Sequence, residues 1–243
     1  MAVKMLERKS DLILVGFDDA KDRLIRAKNV VVTGTPSKIK KKDFTIEEKR
    51  KRLSNFNLEN NYPTVLVFGG SQGAKSINDA IINIVKNGLN NNYNIIWATG
   101  KDGYEDIKKS FEDKNLDIEN LENARVVPYI YNMEDILNSV DLVVSRSGAM
   151  TITEISNAGK PSIFIPFPYA TENHQEYNAR VLEKIGAAKI ILDKDLRFKK
   201  LHEEIEEIIS NPNVMEEMGR KANTNAIDDV ETRIYEEIKK VVK

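Results

Sequence analysis

Short runs of consecutive apolar, mostly β-branched residues recur along this chain. Each is closed by a turn and followed by a stretch of helical character. Thr64-Val65-Leu66-Val67-Phe68, after Pro63, is the strongest, and Leu142-Val143-Val144-Ser145 repeats it. A strand that is apolar on both faces must be covered on both faces. The repeated strand–helix order therefore predicts an α/β fold, a Rossmann-like parallel sheet flanked by helices. Similar runs predict strands at 11–17, 29–33, 93–99, 124–128, 162–166 and 188–192. A helix is expected over 18–27 with Asp18 as its N-cap, another in part over 46–56, and mostly amphipathic helix from 195 to 243, broken at Asn211-Pro212.

Composition excludes several classes of function. Lys and Arg number 37 against 38 Asp and Glu, so no global basic field exists and no nucleic-acid partner is expected. The chain has no Cys, which removes disulfides, thiolate chemistry and Cys-ligated zinc and suits the cytosol. Its two histidines, His174 and His202, lie far apart in sequence with no recurring carboxylate–His spacing, so no metal and no cofactor are expected. A Ser–His–acid nucleophile is disfavoured because no Gly-x-Ser-x-Gly elbow occurs. No apolar run is long enough to span a bilayer, and charges interrupt Met1–Ser10 where a signal peptide would need an apolar core. The basic run Lys38-Ile39-Lys40-Lys41-Lys42 could meet acidic lipid, although such short runs are more often solvated linkers.

Four strand exits carry residues suited to a ligand. Gly69-Gly70-Ser71-Gln72-Gly73-Ala74 follows a strand and opens a helix, where glycines allow close backbone approach and free N–H groups attract phosphate. It matches neither a Walker motif nor a strict Gly-x-Gly-x-x-Gly; an ordinary tight turn is the competing reading. Ser145-Arg146-Ser147-Gly148-Ala149-Met150-Thr151-Ile152-Thr153-Glu154 has the same form, with one carboxylate a turn inside the helix. A carboxylate there can accept hydrogen bonds from both hydroxyls of a ribose, or it can be a solvated helix acid. Arg146 could pair with phosphate or satisfy backbone carbonyls, and the sequence favours neither. In Pro166–Ala179, His174, Gln175 and Asn178 fall on neighbouring helical faces and suit sugar hydroxyls. Val126–Met133 could wall a base or simply pack in the core.

Taken together, Gly69–Ala74, Ser145–Ala149 with Thr151 and Glu154, Pro166-Phe167-Pro168, and His174-Gln175 with Asn178-Ala179 closely resemble the MurG family of bacterial peptidoglycan glycosyltransferases, glycosyltransferase family 28. The resemblance runs from about Asp11 to the C-terminal helices. It implies a two-domain GT-B fold. It also implies inverting transfer of N-acetylglucosamine from UDP-N-acetylglucosamine to lipid I, giving lipid II. By position it implies that Ser71 contacts the diphosphate and that the main chain of Ile130 reads uracil, with Tyr129 and Met133 nearby. It places Ala149, Met150, Thr151, Ile152, Thr153 and Glu154 on the donor, with Glu154 as the ribose acid. Gln175 and Asn178 would meet the N-acetylglucosamine hydroxyls, with His174 adjacent. At the domain junction the family commonly has Gly-Asn-Pro-x-Arg, its Arg facing the diphosphate. Here Gly34-Thr35-Pro36-Ser37-Lys38 stands there, so Lys38 keeps the charge but not the two-pronged guanidinium.

The family's N-terminal Gly-Gly-Thr-Gly-Gly-His motif, which carries acceptor-side and proposed general-base residues, has no counterpart in this chain. The expected organisation is therefore a remnant of an N-terminal acceptor domain over 1–36, a linker and helix over 37–62, and a C-terminal UDP-sugar domain with its helices over 63–243. Strands within 1–36 are too few to close a domain of their own, so they either end an earlier domain or join the main sheet. The expected activity is donor binding with poor transfer by this chain alone. Its catalytic base is unassigned, and the lipid I acceptor needs an N-terminal half. The expected location is the cytoplasm, peripheral on the membrane's inner face. Alternatives are another GT-B enzyme, such as a diacylglycerol glucosyltransferase, and a non-catalytic sugar-nucleotide-binding module.

Overall fold

The computed structural model describes residues 5–21, 23–58 and 62–242. It contains two compact units, residues 1–38 with 226–243, and residues 39–225. In the first unit, β1 (Ile13–Val15) and β2 (Val30–Val32) pair in parallel as a sheet of their own, Ile13 opposite Val30. These strands do not join the main sheet. The helix expected over 18–27 is a single turn, α1 (Asp18–Lys21). Beyond it the N–H groups of Leu24 and Ala27 bond three residues back, to Lys21 and Leu24, so the chain tightens into turns. A chain that must reverse within a few residues to start a parallel strand overrides local helix propensity. The last helix, Val230–Lys239, groups with this unit, whereas the sequence carries the sugar-nucleotide domain through to 243.

The second unit begins with a surface helix, α2 (Ile46–Leu53), that buries no residue and starts in a Thr45–Glu48 capping box. Then follow β3 (Thr64–Phe68), α3 (Lys75–Lys86), β4 (Asn94–Ala98), α4 (Tyr104–Glu112), β5 (Ala124–Val127), α5 (Met133–Ser139), β6 (Leu142–Ser145), α6 (Ala149–Ala158), β7 (Ser162–Phe164), α7 (His174–Lys184), β8 (Ala188–Ile190), α8 (Phe198–Ile209) and α9 (Pro212–Thr224). The expected break at Asn211-Pro212 is a helix start. Asn211 Oδ1 accepts from the N–H groups of Asn213 and Val214, and Pro212 takes the first helical position.

All six main strands are parallel, in the order β5-β4-β3-β6-β7-β8. The chain steps outward from β3 to β5, then returns to the far side of β3 as β6. In open α/β sheets this reversal leaves a crevice at the carboxyl ends of the central strands, where ligands bind. One face is sealed by α3 and α8. Ile77, Ile81 and Ile84, and Leu201, Ile205 and Ile208, are spaced i, i+4, i+7 and fully buried against the sheet. Trp97 is also fully buried, and its indole N–H donates to Asn78 Oδ1 at 2.9 Å. The Asn78 amide in turn donates to Thr99 O at 3.0 Å, tying the first turns of α3 to the exit of β4. Among the described residues no helix is long and apolar enough to cross a membrane.

At the opposite, amino edge, Lys160 donates to the carbonyls of Asn138 at 2.8 Å and Val140 at 2.9 Å. Burial first, then the nearby Lys49, pushes its ammonium down to about 8 from an ordinary 10.5. Between those values the unfolded chain holds the proton more firmly than the folded one, so this group's contribution to stability rises with pH. The unfolding free energy of wild type relative to Lys160→Met should rise from about pH 8 to about pH 10.5, by up to roughly 3 kcal/mol. Urea titrations across that range check it, and a flat difference would count against a depressed lysine.

Candidate functional site

Two βα turns flank the crevice. After β3, residues 69–74 fold back until Gly73 lies against the exit of β4: a Cβ on Gly73 would come within 2.0 Å of Thr99 O. Gly73 has φ +80°, in the region glycine favours, so this close approach needs a glycine on both steric and conformational grounds. Ser71 stands exposed at the tip. After β6, Gly148 caps α6 with its extended backbone and no side-chain hydrogen bond. The first backbone bond of the helix is Ile152 N–H to Gly148 O at 2.9 Å. The N–H groups of Ala149, Met150 and Thr151 precede it and point out of the helix end, where the dipole favours an anion.

Within α6 the predicted contacts separate by burial. Ala149 and Met150 are exposed, Thr151 is partly so, and Ile152 is fully buried and offers only its main chain. Thr153 Oγ1 donates to Ala149 O at 3.0 Å. Glu154 is half-buried, and desolvation pushes its carboxyl above the ordinary glutamate range. Among the described residues no cation or donor offsets that push. A cation or hydrogen-bond donor brought by a ligand would offset that desolvation.

The α7 residues are tied to the same turn. Gln175 Oε1 accepts from the N–H groups of Phe167 at 3.0 Å and Ser147 at 3.3 Å. Ser147 Oγ donates to Gln175 O at 2.8 Å, and Asn178 Nδ2 donates to Ser147 O at 3.1 Å. The Gln175 carbonyl oxygen thus joins the exits of β6 and β7, while its amide nitrogen is outside these bonds. His174 is exposed, with Nδ1 2.8 Å from Thr171 O. Ile130, after β5, has a buried side chain, and Tyr129 beside it stacks edge-on against the exposed Tyr131. Lys38 belongs to the first unit, and the other predicted residues to the second.

A cavity of about 620 Å³ opens between the 69–74 turn and the 167–169 loop, and Ser71 and Gln175 are the predicted residues that line it. Its floor holds a cluster the sequence did not connect. Arg146 Nη1 donates to Ile165 O and Pro166 O, both at 3.0 Å, and pairs with Asp193 at 2.5 Å. Arg146 Nη2 donates to Ser76 Oγ at 3.0 Å, and Ser76 donates on to Asp193 at 2.7 Å. The carbonyl bonds open to Arg146 are made here, with a carboxylate pair beside them. Asp193 lies 47 residues away, after β8, and no local motif signals it.

A parallel sheet with its reversal at β3/β6, a glycine turn on one side and an uncapped helix start on the other defines a Rossmann-like α/β domain with an open carboxyl edge. Residues 64–234 match the model described as the glycosyltransferase family 28 C-terminal domain, and the chain belongs to that family. It is 38% identical over 220 residues to the UDP-N-acetylglucosamine–N-acetylmuramyl-(pentapeptide) pyrophosphoryl-undecaprenol N-acetylglucosamine transferase of Desulforamulus reducens, covering 90% of this chain and 58% of the relative. It is 37% identical over 240 residues to the protein of the same name from Bacillus cytotoxicus, covering 99% and 64%. Among solved structures, MurG of Acinetobacter baumannii superposes with a TM-score of 0.71 at 25% identity, over 97% of this chain and 63% of that one. The chain therefore spans about three fifths of the length of these relatives.

Proposed function

We propose that this chain is the donor-binding half of an inverting N-acetylglucosaminyltransferase, holding UDP-N-acetylglucosamine for transfer to lipid I in peptidoglycan synthesis. The observation that carries the reading is the half-buried, unrelieved carboxylate of Glu154 directly behind the free N–H groups of α6. On this reading the diphosphate lies across the 69–74 turn and the start of α6, with Ser71 as a donor, and the ribose diol meets Glu154. Uracil sits by the main chain at Ile130, and the sugar points toward Gln175 and Asn178. The names of the relatives support the donor and acceptor assigned here.

In the transfer, the acceptor hydroxyl attacks the anomeric carbon from the face opposite the leaving group. The C–O bond to the diphosphate breaks with its electron pair going to UDP. Charge therefore grows on the diphosphate, where backbone N–H groups and the α6 dipole are already oriented. The hydroxyl proton requires a base. The resemblance assigns that base to an N-terminal acceptor domain and sets Lys38, at the domain junction, in the place of an Arg that faces the diphosphate. The same reading puts the chain at the cytoplasmic face of the membrane, in peripheral contact, where its lipid-linked acceptor lies.

Titration calorimetry tests the donor assignment. UDP and UDP-N-acetylglucosamine should each bind at one saturable site, and UDP-glucose more weakly than the acetamido sugar. Preference for UDP-glucose would move the chain to a glucosyl transferase. Vigorous lipid II formation by this polypeptide alone would overturn its assignment as a donor half.

A further inference from the structure

Resting on that reading, we propose that Tyr169 is a further specificity-determining residue, an aromatic platform that stacks on the pyranose ring of the donor. Tyr169 lines the 620 Å³ cavity and is 85% exposed, in the loop that leaves the buried strand β7. Its ring is braced edge-on by Phe167, with centroids 5.7 Å apart at 74°. Phe167 is itself held: its N–H is bound by Gln175, and the Arg146 guanidinium lies 5.5 Å from its ring centre. Arg146 is fixed in turn by two carbonyls and Asp193. The loop thus presents an aromatic ring on a rigid mount.

The backbone supports the same conclusion. Glu172 and Asn173, which close this loop before α7, both sit in the left-handed region at φ 56° and 55°. Two successive non-glycine residues there cost conformational free energy, and such strain gathers at ligand-binding segments.

Position along the sheet selects the ligand part. The base end of the proposed donor lies at the exit of β5, and Tyr169 lies after β7. These strands are four spacings apart, on the order of 20 Å. The far end of a nucleoside diphosphate sugar is its hexose. A hexose has polar edges and a face of C–H groups, and that face complements the electron-rich face of an aromatic ring. Across the cavity Gln72, Asp79 and the Gln175 amide supply donors and acceptors for the hydroxyl edge.

Calorimetry on wild type, Tyr169→Ala and Tyr169→Phe, each with UDP and with UDP-N-acetylglucosamine, tests the platform. Because the side chain is exposed, all three should melt together. Tyr169→Ala should bind the sugar nucleotide roughly five- to tenfold more weakly while UDP stays within about twofold, and Tyr169→Phe should behave as wild type. Equal loss for both ligands would assign the ring to the base or phosphates and overturn the proposal. So would unchanged affinity for both, or a Phe variant as weak as Ala, which would make the hydroxyl the contact. Failure of wild type to bind UDP at all overturns the donor reading first, and the platform with it.

Discussion

Replacing Glu154 by Ala should weaken UDP binding roughly 10- to 100-fold and leave the fold intact. A carboxylate accepting hydrogen bonds from neutral hydroxyls contributes on the order of 1.5–3 kcal/mol when the contact is shielded from water. Glu154 is suited to this because desolvation has already raised its carboxyl in the free protein. Ribose hydroxyls would relieve that cost on binding. The same desolvation means that Glu154→Ala removes a poorly solvated charge, so its melting temperature should match or slightly exceed that of wild type. With 2′,3′-dideoxy-UDP, wild type and variant should bind alike, since neither then has the diol contact. Loss of affinity for that analogue would place Glu154 elsewhere on the ligand.

The pH dependence has a determined sign. Hydroxyl donors favour the ionised carboxylate, so protonation competes with binding. In the free protein the proton is held more tightly than by an ordinary glutamate. Affinity for UDP should therefore fall as pH drops through that raised value, beginning at higher pH than an unperturbed carboxylate would give. Glu154→Ala should lack this component. Competing titration of the diphosphate is common to both proteins and cancels in the comparison.

The strands were legible from sequence because a parallel sheet covered on both faces needs unbroken apolar runs, and 64–68, 142–145 and 162–166 supply them. The flanking helices were read unevenly. Tyr104–Glu112 is mostly polar, and only Ile107 and Phe111, one turn apart, are buried, so its periodicity is too short to read. Asp18, expected as an N-cap, is instead the first residue of a single turn, Asp18–Lys21, and a helix-start signal says nothing about where packing ends the helix. In the site, motifs located the turns but not the bonds between them. Nothing near Arg146 announces Asp193, and nothing near Gln175 announces that its carbonyl oxygen is used by Phe167 and Ser147. Such bonds depend on which strand exits become neighbours, a property of strand order. Ile152 makes the same point within one helix: it lies inside the motif, yet its side chain belongs to the core.

Strand order also explains why the 69–74 turn should tolerate substitution so unevenly. At Gly73, alanine must adopt φ +80° and place its Cβ within 2.0 Å of Thr99 O and 3.3 Å of Gly100 Cα. The left-handed conformation costs about 1–2 kcal/mol for a residue with a Cβ. The overlap is with backbone that β4 and the Asn78 amide hold in place, and relieving such an overlap typically costs another 1–3 kcal/mol. Gly73→Ala should therefore lower stability by about 2–5 kcal/mol and the melting temperature by roughly 5–15 °C. Because relief requires the turn to lift off the exit of β4, UDP affinity should collapse as well. Gly70 provides the internal control, having φ +93° but nothing within 4 Å of a built Cβ. Gly70→Ala should show only the conformational cost, about 1 kcal/mol, and a shift of about 2–4 °C. Circular-dichroism melts and UDP titrations on the pair separate the two causes. If both variants lose the same stability and affinity, backbone conformation alone governs the turn, and its docking onto the neighbouring strand contributes nothing to the site.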